Sequence, residues 1–312
     1  MSEEPLFPGG IRLRCPSCGG HDGAGSACLS CGFRLEFDGG ILRALPHHRR
    51  EAYARFLMEY STIRDAEGRG SDDPAYYLAL PFRDLTGRHS DQWTIRGKTF
   101  RFFVKRILPV FESGRSLNVL DLGAGTGWLS YRLTKRGHRP VAVDICADPR
   151  DGLAAARHYW TVLTMPFPLV EAEFESLPFA DAQFDLAVFN SSLHYSTDYE
   201  KTLAEAMRCL RPAGQVAILD SPIYRRREHG ERMREERHRQ FQARYGFRSD
   251  SIPSMEYLYD AQLEALAGKL GLRWTVYHPW YGLRWHARPW KAFLRRQRPP
   301  SRFCILVGSR PR

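Results

Sequence analysis

The stretch Asn118-Val-Leu-Asp-Leu-Gly-Ala-Gly-Thr-Gly-Trp128 runs from a short apolar strand through a glycine turn into a helix. Its three glycines, Gly123, Gly125 and Gly127, give the pattern D-x-G-x-G-x-G. That differs from the dinucleotide pattern G-x-G-x-x-G, because Trp128 holds its last position. Glycines without Cβ let a backbone approach a ligand closely, and the helix N-terminus that follows can hold a carboxylate. Asp144 ends the next strand, where a carboxylate can accept both hydroxyls of a ribose. Strand, loop, helix and downstream acid together point to a nucleoside ligand.

Working outward, residues 116–221 alternate strands and helices. Apolar runs place strands at Leu117–Leu122, Pro140–Ile145, Leu169–Phe174, Phe184–Asn190 and Gln215–Asp220, with helices near 126–136, 151–160 and 199–210 between them. Such alternation specifies a doubly wound α/β sheet with right-handed crossovers. Two more strands are expected at Leu272–His278 and Arg302–Gly308, after a helix near 259–270 that Gly271 ends. Two stretches break the rhythm: 222–258, rich in mixed charge, and 280–301.

Here the chain resembles the class I S-adenosylmethionine-dependent methyltransferases of the type-11-like kind. The glycine loop carries the resemblance. Glu173-Phe-Glu-Ser-Leu-Pro-Phe179 with Phe184-Asp185, Asn190-Ser-Ser-Leu-His-Tyr195 and Leu210-Arg-Pro-Ala-Gly-Gln-Val216 extend it. The resemblance implies a Rossmann-like seven-stranded sheet whose last two strands form an antiparallel hairpin. It implies S-adenosylmethionine as cofactor, with Asp121, Gly123, Ala124, Gly125 and Gly127 around its methionine part. Asp144 would hold its ribose and Glu173 and Phe174 would frame its adenine, with Asn190 beside them. At the carboxyl ends of the strands, His194, Asp220 and Tyr224 become candidates to hold or deprotonate an acceptor. His194 alternatively supports the pocket, and Asp220 alternatively caps the turn after it. No N-P-P-Y-type segment, which marks exocyclic-amine methylases, stands after the fourth strand.

Upstream, Cys15, Cys18, Cys28 and Cys31 form C-x2-C-x9-C-x2-C. Each pair is a knuckle that turns two sulfurs to one side, and four thiolates suit a closed, structural zinc site, with iron, two disulfides or a redox dithiol as alternatives. His21 lies within the loop but is not needed as a ligand. The segment resembles the zinc ribbons that precede some methyltransferase domains. The expected organisation is a ribbon over 1–45, a helical lead-in and lid over 46–115, and the methyltransferase domain over 116–312 with inserts at 222–258 and 280–301.

The chain has 312 residues and a formal charge of +11. Its first 279 residues hold 37 basic and 35 acidic residues, so most of the excess lies in 280–312, with nine Arg or Lys and no acid. Trp280, Tyr281, Trp285, Trp290 and Phe293 interleave with that charge. The pattern suits RNA, an anionic membrane surface or plain packing with solvated arginines. No apolar run spans a bilayer. The acidic N-terminus is no secretory signal, and the single cysteines 146, 209 and 304 suit a reducing cytoplasm. Leu177-Pro-Phe179 with Leu193-His-Tyr195 resembles subgroups that mostly act on small molecules, which implies a small-molecule or lipid-linked acceptor enclosed by the 222–258 lid. RNA is the alternative, gripped by ribbon and basic C-terminus, and a binding protein without transferase activity is a third reading.

Overall fold

A computed structural model describes residues 10–20, 27–112 and 114–311; His21 lies outside them. The strands are β1 (Glu36–Asp38), β2 (Ile41–Arg43), β3 (Asn118–Leu122), β4 (Arg139–Asp144), β5 (Leu169–Glu171), β6 (Phe184–Asn190), β7 (Leu210–Leu219), β8 (Ile223–Tyr224), β9 (Leu258–Tyr259), β10 (Arg273–Tyr277) and β11 (Ile305–Ser309). The helices are α1 (His47–Ala66), α2 (Pro74–Ala79), α3 (Ser90–Phe102), α4 (Leu108–Glu112), α5 (Trp128–Thr134), α6 (Tyr199–Cys209), α7 (Arg227–Tyr245), α8 (Asp260–Leu270), α9 (Leu283–His286) and α10 (Arg288–Leu294). The helix expected over 151–160 is a 3-10 turn, Leu153–Tyr159.

The main sheet runs β1-β2-β5-β4-β3-β6-β7-β11-β10. Its last seven strands are the expected doubly wound sheet, parallel from β5 to β7 and closed by the antiparallel β10–β11 hairpin. The chain enters at β3, winds outward through β4 and β5, then crosses back to β6. The reversal opens a crevice at the carboxyl end of β3. Strand residues alternate between two cores. Leu120, Leu122, Val141 and Val143 face α6 and α8. Val119, Ala142, Leu186 and Val188 face α3 and α5.

The two outermost strands come from the cysteine-bearing segment. Ile41–Arg43 pairs in parallel with Leu169–Glu171, placing Leu42 in one core and Ile41 in the other. Arg12 and Gln183 exchange hydrogen bonds, and Leu13 bridges to Phe179. The boundary expected at residue 45 thus falls inside one continuous sheet. The spacing of the cysteines gives no sign of this, because strand pairing across some 130 residues leaves no local pattern.

Candidate functional site

The glycine loop adopts the shape its composition demands. Gly123, Gly125 and Gly127 all have positive φ, between +52° and +74°. A Cβ on Gly123 would stand 2.2 Å from the Cβ of Ser192. The Gly123 and Ala124 amides both donate to the Val143 carbonyl, pinning the loop to β4. Asp144 completes the turn: its Oδ2 accepts from the Gly125 amide at 2.8 Å and its Oδ1 from the Cys146 amide at 2.9 Å. Burial raises the pKa of this carboxyl, while the two amides favour its ionised form.

Loop and acid open into a cavity of about 650 Å³. Ala124, Gly125, Thr126, Asp144, Phe174 and Asn190 line one part of it, and His194, Asp220, Tyr224, Arg288 and Phe303 another. Several lining atoms are buried without a hydrogen-bond partner: Thr126 Oγ1, Asn190 Oδ1, His194 Nδ1, Asp220 Oδ2 and Arg96 Nε. Buried polar atoms are ordinarily satisfied, so such a cluster calls for a ligand. Backbone strain converges here too. Of six described non-glycine residues with positive φ, four line the cavity: Ser191, Asp220, Ser249 and Glu256. Strained residues concentrate where function over-determines their position.

Two expected contacts fall elsewhere. Asp121 is fully buried behind the loop, accepts from Ser130 Oγ at 2.8 Å and does not line the cavity. Burial pushes its pKa up to about 7. Gly127 likewise packs inward, against Ala156 and Phe167. Glu173 reaches the wall, but α1 occupies it: Arg49 Nε donates to both carboxylate oxygens, at 2.9 and 3.0 Å, and Tyr53 Oη donates to Oε2 at 3.0 Å. Arg50 and Glu171 form a parallel ion pair, and Arg64 pairs with Asp151 at the far end of the helix. Helix α1 is thus strapped across the strand ends and supplies Tyr53, Phe56, Tyr60 and Ile63 to the wall. Phe174 keeps a wall position, edge-on to Phe189 at 5.5 Å.

Residues 120–218 match the family described as a methyltransferase domain. The matched segment is about a third of the chain and includes the glycine loop and Asp144. The chain is 35% identical over 164 residues to a malonyl-[acyl-carrier protein] O-methyltransferase of Geobacter sulfurreducens, covering 52% of this chain and 54% of that protein. It is 36% identical over 106 residues to a demethylmenaquinone methyltransferase of Thermus thermophilus, covering 33% and 47%. The chain therefore spans about half the length of the curated relatives it matches. Among solved structures, a 1,6-didemethyltoxoflavin-N1-methyltransferase of Burkholderia thailandensis superposes with a TM-score of 0.49 at 15% identity, covering 89% of this chain and 95% of that one.

The far part of the cavity carries the three residues singled out for acceptor chemistry. His194 is 7% exposed and stacks against Tyr195 at 4.5 Å. Burial, with Arg237 and Arg96 adding to it, depresses its pKa to about 3, so its imidazole stays neutral at physiological pH. Asp220 Oδ1 accepts from Thr99 Oγ1 at 2.5 Å, and Thr99 also meets Tyr281 Oη at 2.9 Å. Burial raises the Asp220 pKa despite nearby Arg96. Tyr224 Oη accepts from Arg298 at 3.3 Å. Helix α7 carries the expected exposed ion pairs, such as Arg227–Glu231, but it also closes one wall through Met233, Arg237 and Phe241. Sequence reading missed Arg96: it is one of two arginines in α3, and no motif marks it. In the fold it donates to Ser191 Oγ at 3.2 Å and lies 4.9 Å over the Trp93 ring.

The depressed His194 pKa makes stability fall on acidification. Between its unfolded value near 6.5 and about 3, the unfolded chain binds a proton there that the folded chain does not. Going from pH 7 to pH 5 should therefore cost about 2 kcal/mol through this residue. Urea unfolding at both pH values checks it: wild type loses more stability than His194→Gln, and equal losses would contradict the assignment.

The four N-terminal cysteines converge as their spacing predicts. Their sulfurs lie within 4.8 Å of one another, with Cys15–Cys31 at 3.6 Å and Cys18–Cys28 at 3.5 Å. The close contacts join sulfurs from different knuckles, and none of the four is in a disulfide. Four soft thiolates around one point fit a tetrahedral zinc ion, leaving no position for a substrate. Purified protein should carry about one zinc per chain by elemental analysis. Cys28→Ser should lose it and lower the melting temperature, yet keep cofactor affinity within about threefold, since the β2 strand remains zipped into the sheet. Loss of cofactor binding would contradict a purely structural site.

Proposed function

We propose that this protein transfers a methyl group from S-adenosylmethionine to a small-molecule or lipid-linked acceptor. The observation that carries the reading is one continuous cavity joining the glycine loop and Asp144 to a second set of buried, unpartnered polar atoms, Asp220 Oδ2 and His194 Nδ1. The cradle fits the cofactor: Asp144 keeps lone pairs for two ribose hydroxyls, Gly125 and Thr126 present backbone at close range, and Asn190 and Arg96 hold unpaired polar atoms beside the loop. Bound there, the cofactor supplies an electrophilic methyl group on a sulfonium.

The chain's own contribution is holding, orienting and excluding water. Helix α1 covers the loop with Phe56 and Tyr60, and α7 and the 280–301 insert wall the acceptor side. Asp220, held by Thr99, whose hydroxyl also meets that of Tyr281, is placed to accept a hydrogen bond or proton from the acceptor. His194, neutral at physiological pH, is available as a hydrogen-bond partner or base but not as a cation. Relatives named for a malonyl thioester and a quinone acceptor support the small or lipid-linked class.

The test is transfer of labelled methyl from S-adenosylmethionine into a cell extract that is then separated into RNA, protein, lipid and small-molecule fractions. Label is expected in the lipid or small-molecule fraction. Label confined to RNA would replace this reading with the RNA alternative, and no label in any fraction would favour a binding protein.

A further inference from the structure

The 280–301 insert has two faces with different fates. Inward, Tyr281 is 4% exposed and Trp285 packs on Phe303 at 5.2 Å, while Arg288 and Arg298 reach the cavity wall. Lys98 Nζ donates to the Tyr281 carbonyl at 2.7 Å and ties the insert to α3. Outward, the insert does the opposite of folding. Trp280, Leu283, Trp290, Phe293 and Leu294 are 61–79% exposed. Trp290, Phe293 and Leu294 share one side of α10 at i, i+3 and i+4 spacing. Arg284, Lys291, Arg295 and Arg296 are exposed around them, and no acid lies anywhere in 280–312.

Five large apolar side chains held in water, four of them on two short helices and Trp280 just before the first, are costly, and a protein keeps such a patch for a partner. Arg284 approaches the exposed Asp91 at 3.9 Å, but Lys291, Arg295 and Arg296 keep the rim positive, and the partner's charge follows from that. Its apolar character follows from the residue types. Leucines 283 and 294 have no ring to stack on a base, which disfavours a single-stranded nucleic acid platform. Aliphatic and aromatic groups together, ringed by arginine and lysine, suit the boundary between headgroups and acyl chains. We infer that this face docks on an anionic lipid surface and brings the mouth of the cavity against it. The step from docking to a lipid-borne acceptor rests on the methyl-transfer reading above; the docking itself does not.

Co-sedimentation with vesicles tests it on the full chain. Binding is expected to phosphatidylcholine vesicles containing phosphatidylglycerol, to weaken as salt rises, and to be slight on phosphatidylcholine alone. The triple variant Trp290→Ala, Phe293→Ala, Leu294→Ala should bind at least about tenfold more weakly, with unchanged affinity for S-adenosylhomocysteine as the check that it folds. In wild type, brominated acyl chains should quench the fluorescence of the outward tryptophans, a readout that needs no variant. Absence of vesicle binding at low salt, or equal binding by the triple variant, would overturn the proposal. So would a wild-type dimer that the triple variant splits without any vesicle binding, or RNA binding that depends on this face while vesicles are ignored. Docking without methyl transfer to any acceptor would count against the transfer reading and leave the surface standing.

Discussion

Asp144→Ala should weaken binding of S-adenosylhomocysteine by a hundredfold or more. The carboxylate has two duties that no neighbour can assume. It receives the Gly125 and Cys146 amides and so sets the shape of the loop. Its remaining lone pairs stand at the end of β4, in the cavity wall, where a pair of ribose hydroxyls would meet them. Hydrogen bonds to a charged group contribute about 1.5–3 kcal/mol each, so losing two exceeds the 2.7 kcal/mol that a hundredfold represents. Trp93 and Trp128 line the same cavity, so ligand binding should register as a change in tryptophan fluorescence. Affinity within threefold of wild type, in a variant that melts normally, would remove Asp144 from the cofactor site.

Gly123→Ala should destabilise the whole domain, by about 2–4 kcal/mol. The φ at this residue is +74°, and the added methyl carbon would lie 2.2 Å from Ser192 Cβ, 2.9 Å from its Oγ and 3.2 Å from the Phe174 ring. Ser192 cannot simply withdraw, because its hydroxyl donates to the Leu122 carbonyl at the end of the central strand. Relief must therefore come from moving the β6 exit or the loop, and both form the cavity. The melting temperature should fall by about 5 °C or more, and ligand affinity should fall with it. An unchanged melting temperature would mean that the loop does not pack against the β6 exit as described. By contrast, alanine at Gly268 meets no atom within 4 Å and serves as the control.

Much of the fold was legible because its signals are local. The seven core strands are short, largely apolar runs with turn residues between them, and the glycine triplet marks a loop whose three glycines all take positive φ. The place of Asp144 was legible for the same reason, since it depends only on ending the strand after that loop. The cysteine knuckles were legible because each ligand pair is two residues apart. What stayed hidden depends on distant pairing. Nothing near Glu173 announces that Arg49, 124 residues earlier, will claim its carboxylate. Nothing near Ile41 announces that it will join the sheet beside Leu169. That Asp121 sits behind the loop, bonded to Ser130, was not legible either, because the motif orders residues along the chain while the strand pleat turns successive side chains to opposite faces. The insert was read correctly as basic and aromatic, but only the fold separates Tyr281 and Trp285, which anchor it, from Trp280, Trp290 and Phe293, which do not.

The central claim is that the cavity over the glycine loop holds an adenosyl cofactor. Isothermal titration of the wild-type chain with S-adenosylhomocysteine tests it most directly. The account predicts saturable binding at one site per chain, with a negative heat-capacity change from closing the cavity under α1. Titration with adenosine alone should bind more weakly, because it lacks the methionine part that the resemblance places against the glycine loop. Absence of any saturable heat, from protein shown to be folded and loaded with zinc, would contradict the account at its root.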